Sequence, residues 1–183
     1  MLEGAARVFD REGLGATTNR IAEAAGVSIG TLYEYFPDKE SLLLALGERH
    51  LDTAVAAVRE LAQRWETQPP ATIAAVMRDW IELLAEQHRR HPSMHALLAH
   101  VVERVPAVLT RALQLQSDVV AMLSFAVRRL RPQLGELELR AQLIVFVSGE
   151  VVHGPMLAAR DEAEATRWMA QLEAMLSAYL EHA

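Results

Sequence analysis

Apolar residues recur three and four positions apart along most of the chain, which is the spacing of one helix face. Between Lys39 and about Glu66 this spacing predicts one long helix, with apolar positions at Leu42, Leu43, Leu46, Leu51, Ala54, Val58 and Leu61. Prolines and glycines divide the rest into helices at 72–90, after Pro92, 106–130, 136–159 and 161–181, with Pro155 predicting a kink or early stop in the fourth. With three short helices before Lys39, the pattern predicts an all-α chain of about nine helices.

Two of the short helices are predicted to join through a glycine turn. Thr17 or Thr18 can cap the first helix, and Gly26 suits the left-handed residue that ends it. Ser28 can then cap a second helix, Ile29 to Tyr35. This is the helix-turn-helix plan, in which the second helix enters the major groove of DNA by its N-terminal end.

The residues of this segment carry a longer pattern. The spacing T-x-x-x-I-A-x-x-A-G-V-S-x-G-T-L-Y-x-Y-F-x-x-K-x-x-L, preceded by LEGAARVFDREG, resembles the tetracycline-repressor (TetR) family of bacterial transcriptional regulators. The resemblance covers residues 1 to about 48 position by position, and the rest only in its helical pattern. It implies an N-terminal three-helix helix-turn-helix DNA-binding domain at 1–48 and a C-terminal helical ligand-binding and dimerisation domain at 49–183.

The resemblance also implies which residues meet DNA. They are Thr17, Thr18, Arg20, Ser28, Ile29, Gly30, Thr31, Tyr33, Tyr35 and Lys39. Hydroxyls and an ammonium suit phosphate oxygens, a glycine lets the backbone approach closely, and Ile29 can contact a thymine methyl group. Thr17 and Ser28 can equally serve as helix caps without DNA. Glu34 is expected in solvent outside the groove unless it accepts a hydrogen bond from cytosine.

Charge limits how such a domain can bind. The net charge is −6, and residues 1–49 carry five basic and eight acidic side chains. A locally positive face would have to come from Arg20 and Lys39. Lys39 is the single lysine of the chain and stands at the family's lysine position, although coincidence would explain that position equally. The family usually carries a basic arm before its first helix, and this chain opens almost inside that helix. We therefore expect weaker DNA affinity and a shallower salt dependence.

Several classes of function are excluded or find no support. Cysteine is absent, no signal segment appears, and the longest apolar stretch, at 143–152, is too short to span a bilayer. The sequence therefore predicts a cytoplasmic protein without a membrane partner. No catalytic motif is present, so neither an enzyme nor a cofactor is expected.

The C-terminal helices carry a broad apolar surface. The resemblance implies that the last two pack against a second copy, at Leu143, Val147, Val151, Trp168, Leu172, Met175 and Leu176. The alternative is that these residues only fill their own core. A homodimer would read an inverted-repeat DNA operator.

The resemblance also implies a small-molecule effector among the middle helices. The candidate contacts are Met77, Trp80, Ile81, Met94, Leu98, Met122, Phe125, Phe146, Glu150 and His153. The large apolar members are more often plain core. The scarcity of nearby lysine and arginine favours a hydrophobic or cationic effector.

Histidines raise the question of a metal. Glu150 and His153 form one Glu-x-x-His pair, whereas di-iron bundles need two, so a hydrogen-bonded polar pair is the preferred interpretation. The histidines around Pro92 are expected to be solvated or to cap helices, because the proline interrupts their shared face: His88, His91, His95 and His100.

The sequence thus predicts a DNA-binding regulator, a ligand-released repressor that binds an inverted repeat as a homodimer. Two alternatives stay open. One is an activator on the same scaffold, and the other is a small-molecule-binding helical protein whose helix-turn-helix is degenerate.

Overall fold

The computed structural model describes residues 1–89, 105–156 and 158–182, and this part of the chain is helical without strands. Its eight α-helices are α1 Leu2–Glu12, α2 Thr18–Ala25, α3 Ile29–Tyr35, α4 Lys39–Thr67, α5 Ile73–Arg89, α6 Pro106–Leu130, α7 Leu137–Val151 and α8 Glu162–Glu181. The predicted all-α class is confirmed. The helix expected after Pro92 lies outside the described residues.

The contacts divide the described chain into two compact units. The first holds residues 1–54, Arg89 and 105–113, and the second holds 55–88 and the described residues from Gln114 onward. Helix α4 begins in the first unit and ends in the second.

The first unit is built around one small apolar core. Its buried members come from α1, the segment between α1 and α2, α2, α3 and the start of α4: Ala5, Ala6, Val8, Phe9, Ala16, Ile21, Ala22, Leu32, Leu42, Leu43 and Leu46. Helices α1 and α2 cross closely at Gly4, where an added Cβ would lie 2.8 Å from the Cα of Ala25. Farther along, Arg111 of α6 pairs with Asp52 of α4.

The second unit packs α5 to α8 and the end of α4 around a larger core. Two tryptophans anchor it through their indole N–H groups: Trp65 donates to Asp79 Oδ2 at 2.7 Å, and Trp80 donates to Ser148 Oγ at 3.1 Å. Such bonds let a large ring be buried without leaving its polar atom unpaired. Helices α5 and α8 are also joined by Arg78 and Glu173 at 2.7 Å.

The end of α7 differs from the sequence-based expectation. The helix was expected to run to about Ala159, but its α-helical part ends at Val151, and Val152–Met156 form one π-helical turn with Pro155 inside. Because proline has no N–H and its ring crowds the preceding turn, the α-helical ladder cannot continue through it. This π-helical turn places His153 beside α5.

None of the helices in the described ranges is long and apolar enough to cross a membrane.

Candidate nucleic-acid interface

The turn between α2 and α3 has the conformation that the sequence predicts. Gly26 is left-handed, with φ 68° and ψ 29°. Its N–H donates to the Glu23 carbonyl, and the next N–H, of Val27, donates to the Ala22 carbonyl, both at 3.0 Å. These two bonds are the Schellman arrangement, which ends a helix and reverses the chain. The turn therefore fixes where α3 begins.

Both helices of the motif are capped by a side-chain hydroxyl. The Thr17 hydroxyl accepts from the Arg20 N–H at 3.4 Å, and the Ser28 hydroxyl accepts from the Thr31 N–H at 3.0 Å. The Thr31 hydroxyl lies 2.9 Å from that of Ser28. Capping of Thr17 and Ser28 is confirmed, and the two residues remain exposed beside the N-terminal ends of their helices.

Helix α3 faces the core on one side and the solvent on the other. Leu32 is buried at 1 % exposure, whereas Ile29, Tyr33 and Tyr35 are 37 %, 47 % and 65 % exposed. A large part of each of these apolar and aromatic side chains is therefore left outside the core, at the surface of a seven-residue helix. The exposed side of α3 is thus available for a partner.

Hydrogen bonds within the protein restrain three of the candidate DNA contacts. The Thr18 and Tyr33 hydroxyls are 3.0 Å apart and join the first turn of α2 to α3. The Lys39 ammonium donates to the Leu14 carbonyl at 2.6 Å, which ties the start of α4 to the turn after α1. An ammonium has three donors, so this bond leaves donors for a phosphate.

The charges on this surface are partly compensated by neighbouring acids. Arg20 Nε lies 3.1 Å from a Glu12 carboxylate oxygen, although the Arg20 side chain is 62 % exposed. Asp38 caps α4, and hydrogen bonds from the backbone and hydroxyl of Ser41 lower the pKa of its carboxyl group. Acidic side chains therefore lie next to the basic candidate DNA contacts as well as elsewhere in the domain.

Comparison with known proteins agrees with this geometry. Residues 1–46 match the family model of bacterial regulatory proteins of the tetR family. Residues 72–180 match the model of the tetracyclin repressor-like C-terminal domain, which is more than half of the chain. The chain belongs to the TetR family.

TetR relatives match this chain in part by sequence and throughout by fold. The HTH-type transcriptional repressor AcnR of Corynebacterium efficiens is 34% identical in an alignment of 109 residues that covers 52% of this chain and 53% of AcnR. The chain thus spans about half the length of that relative. The TetR regulator PfmR of Thermus thermophilus has a TM-score of 0.73 at 18% identity, with 96% of both chains covered.

A further solved structure of this fold contains a ligand. The regulator FadR of Bacillus subtilis in complex with stearoyl-CoA has a TM-score of 0.63 at 19% identity, covering 96% of this chain and 95% of FadR. At this identity the likeness concerns the fold.

The effector contacts expected for a TetR protein do not all lie together. Met77, Trp80 and Ile81 are buried in the core of the second unit, and Met122 packs against that core. Phe125 and Phe146 are each 64 % exposed, and Glu150 and His153 are also at the surface. Met94 and Leu98 lie outside the described residues.

The expected dimer contacts divide into two groups. Leu143, Trp168 and Met175 are exposed at 45 %, 40 % and 51 %, with Val147 and Val151 half-buried. Leu172 and Leu176 are each 3 % exposed and belong to the core of their own unit. The exposed apolar residues of α7 and α8 also include Leu139, and Phe146 and Tyr179, which the sequence did not single out for dimer contact.

One histidine was predicted wrongly. His88 was expected to be solvated or capping, but its ring is buried at 2 % exposure and contacts the ring of His153. These two residues are 65 positions apart, so no local pattern could have paired them. His91, His95 and His100 lie outside the described residues. In the described ranges, no group of three or more metal-binding side chains was found.

Proposed function

We propose that the protein is a DNA-binding transcriptional repressor in which residues 1–48 bind an operator and residues 49–183 bind an effector and a second copy. The observation that carries the proposal is the exposed face of α3, placed by the Gly26 turn and capped by Ser28. The repressor AcnR, similar over half of this chain, supports the sign of regulation. Operator DNA lies in the bacterial cytoplasm, and the proposal places the protein there.

Recognition depends on geometry more than on charge in this proposal. Ile29, Gly30 and Thr31 are at the N-terminal end of α3, the end that enters the major groove in helix-turn-helix proteins. The hydroxyl groups for phosphate oxygens at the edges of the groove come from Thr17, Thr18, Ser28, Tyr33 and Tyr35. The positive groups are Arg20 and Lys39, each already engaged by one protein partner.

The repressor would act as a homodimer released by a small molecule. Two copies related by a two-fold axis present two α3 helices, so the operator would be an inverted repeat. An effector that binds one conformation of the second unit more tightly than another shifts the population toward the conformation that it prefers. Because α4 runs without a break through both units, its tilt would change the separation of the two α3 helices.

The effector is proposed to be hydrophobic or cationic. The candidate contacts Met77 and Ile81 are apolar. FadR of the same fold was solved with stearoyl-CoA, whose acyl chain is hydrophobic although its CoA part is anionic. A neutral long-chain acyl ester and a lipophilic cation are therefore the first compounds to test. Release of bound operator by either one would support an effector role, and release by neither would reject this effector class.

Selection of DNA from a random pool by the full chain tests the central claim. An enriched inverted repeat is expected. On that repeat, Ile29→Glu should weaken binding at least about tenfold, because a carboxylate in the groove is repelled by phosphates. Leu109→Glu is the matched control, since Leu109 is 39 % exposed and Ile29 is 37 % exposed. The proposal fails if nothing is enriched or if Ile29→Glu binds as tightly as Leu109→Glu.

A further inference from the structure

A pair of imidazole rings lies in the second unit, apart from the candidate DNA contacts. His88 of α5 and His153 of the π-helical turn meet through their Nε2 atoms, with ring centroids 4.4 Å apart and ring planes inclined by 51°. His88 is buried, whereas His153 is exposed at the surface. One Nε2 atom therefore comes from the interior and the other from the surface.

The hydrogen bond behind His88 determines which nitrogen carries its proton. Nδ1 of His88 lies 2.5 Å from the Leu84 carbonyl oxygen. A carbonyl can only accept, so Nδ1 is protonated, and in the neutral ring Nε2 keeps its lone pair. Metal-binding histidines show this same arrangement, in which a carbonyl holds one nitrogen and orients the other toward the ion. His88 is thus prepared to donate electrons from Nε2.

The second ring belongs to the π-helical turn, and its Nε2 faces Nε2 of His88. A neutral imidazole binds a metal ion through the lone pair of one such nitrogen. The ring lies along Gly149, where an added Cβ would be 3.9 Å from its Nδ1.

We propose that the His88–His153 pair binds one divalent first-row transition-metal ion through the two Nε2 atoms. Two imidazoles suit zinc, nickel, copper or cobalt better than magnesium or calcium, which prefer oxygen ligands. In the part of the chain that the structure describes, no group of three or more metal-binding side chains was found, so these two imidazoles are the ligands that this part supplies. The nearby Glu150 carboxylate offsets part of the ion's charge.

Binding requires a small movement of one ring. A tetrahedral ion with metal–nitrogen distances of about 2.0–2.1 Å holds its two nitrogens roughly 3.3 Å apart, farther than they are in the present contact. His153 can provide this separation, because it lies at the surface on a short π-helical turn and His88 is fixed by Leu84. Without an ion, the Nε2–H of His153 donates to the Nε2 lone pair of His88, and metal binding moves this proton to Nδ1 of His153.

Calorimetric titration of the chelator-treated full chain with Zn²⁺ and with Co²⁺ tests the proposal without reference to DNA. We expect saturable binding at this pair and a rise in Tm with metal concentration, because an ion that binds only the folded state stabilises it. His153→Gln should weaken this binding at least about tenfold. Even the loss of a residue that only orients a metal ligand weakens metal affinity by about that factor.

His182→Gln provides the matched control, since it is the same change at an exposed residue after α8. It should retain the affinity and the Tm shift of the parent chain, and urea unfolding of His153→Gln checks that the variant is folded. Absence of saturable binding in the parent chain, or equal binding by folded His153→Gln and His182→Gln, would overturn the proposal.

Discussion

The hydroxyl groups of Thr18 and Tyr33 are 3.0 Å apart, and this bond joins the start of α2 to the exposed face of α3. Both residues are candidate phosphate contacts, and each limits the freedom of the other. A side chain that is already positioned loses less conformational entropy when DNA binds. The bond is therefore expected to contribute to DNA affinity as well as to stability.

The first prediction concerns this bond. Tyr33→Phe and Thr18→Val should each weaken operator binding by about 2- to 10-fold, which corresponds to the net value of one hydrogen bond. The double variant should bind more tightly than the product of the two losses predicts, because either change alone breaks the bond. Fluorescence anisotropy with labelled operator measures all four proteins.

A second cycle serves as its control. Tyr35 is 65 % exposed on the same helix, and Tyr35→Phe with Thr18→Val should give additive losses. Equal coupling in both cycles, or none in the first, would mean that the Thr18–Tyr33 bond does not position the DNA contacts.

The second prediction separates the two glycines of the motif. Gly26 has a φ of 68°, so Gly26→Ala should lower the free energy of unfolding by roughly 1–2 kcal/mol. At Gly30 an added Cβ would meet only Ser28 Oγ, at 3.7 Å, which is an ordinary contact. Gly30→Ala should keep the stability and lose operator affinity, since the methyl group holds the α3 backbone away from DNA.

Urea unfolding and operator binding distinguish these outcomes. Gly26→Asn is a useful companion, because asparagine tolerates the left-handed conformation better than alanine. Full operator affinity in Gly30→Ala would argue against close approach of this backbone to DNA.

The third prediction concerns salt. Arg20→Gln should reduce the slope of log affinity against log salt concentration by roughly 0.9, the value for one phosphate contact. Arg128→Gln makes the same change at an exposed position of α6 in the second unit and should leave the slope unchanged. An unchanged slope in Arg20→Gln would mean that, in the parent chain, Arg20 stays paired with Glu12 in the DNA complex and contacts no phosphate.

Local chemistry explains which parts of this molecule could be predicted from sequence. Gly26 and Ser28 act on residues within four positions, so their roles can be derived from spacing alone. The Lys39 bond to the Leu14 carbonyl spans 25 positions, and the His88–His153 contact spans 65. Such pairs depend on how helices pack, which no local pattern specifies.

Helix α7 shows a second limit. Its apolar residues surround the helix, so spacing could not tell Ile144, at 1 % exposure, from Phe146, at 64 %. Pro155, just after α7, predicts an irregularity from sequence alone, but the formation of a π-helical turn there depends on the surrounding packing.

The fourth prediction concerns acid stability. Hydrogen bonds from Ser41 lower the pKa of Asp38 in the folded protein, so the unfolded chain binds this proton more tightly. The stabilisation is present above the unfolded pKa of about 3.9 and is lost as the pH falls through the lower, folded value. Compared with Asp38→Asn, the parent chain should be more stable at pH 7, and this difference should shrink toward pH 2.

Urea unfolding followed across this pH range provides the measurement. Ser41→Ala removes the hydroxyl but keeps the backbone bond from residue 41 to Asp38, so it should retain part of the pH dependence. A difference between Asp38→Asn and the parent chain that is constant with pH would exclude the carboxylate charge as its cause.

The last prediction concerns self-association. Leu139, Leu143 and Phe146 form one exposed stripe on α7, and Trp168 and Met175 are exposed on α8. Because apolar side chains at such density commonly mark a partner surface, we expect the parent chain to sediment as a dimer and Leu143→Glu as a monomer. Leu113→Glu, a control at a residue that is 56 % exposed in the first unit, should remain dimeric. A dimeric Leu143→Glu would mean that the second copy binds at another surface.

Leu143→Glu should also lose affinity for a full inverted repeat, because only a dimer binds both half-sites at once. Its affinity for a single half-site should equal that of the parent chain.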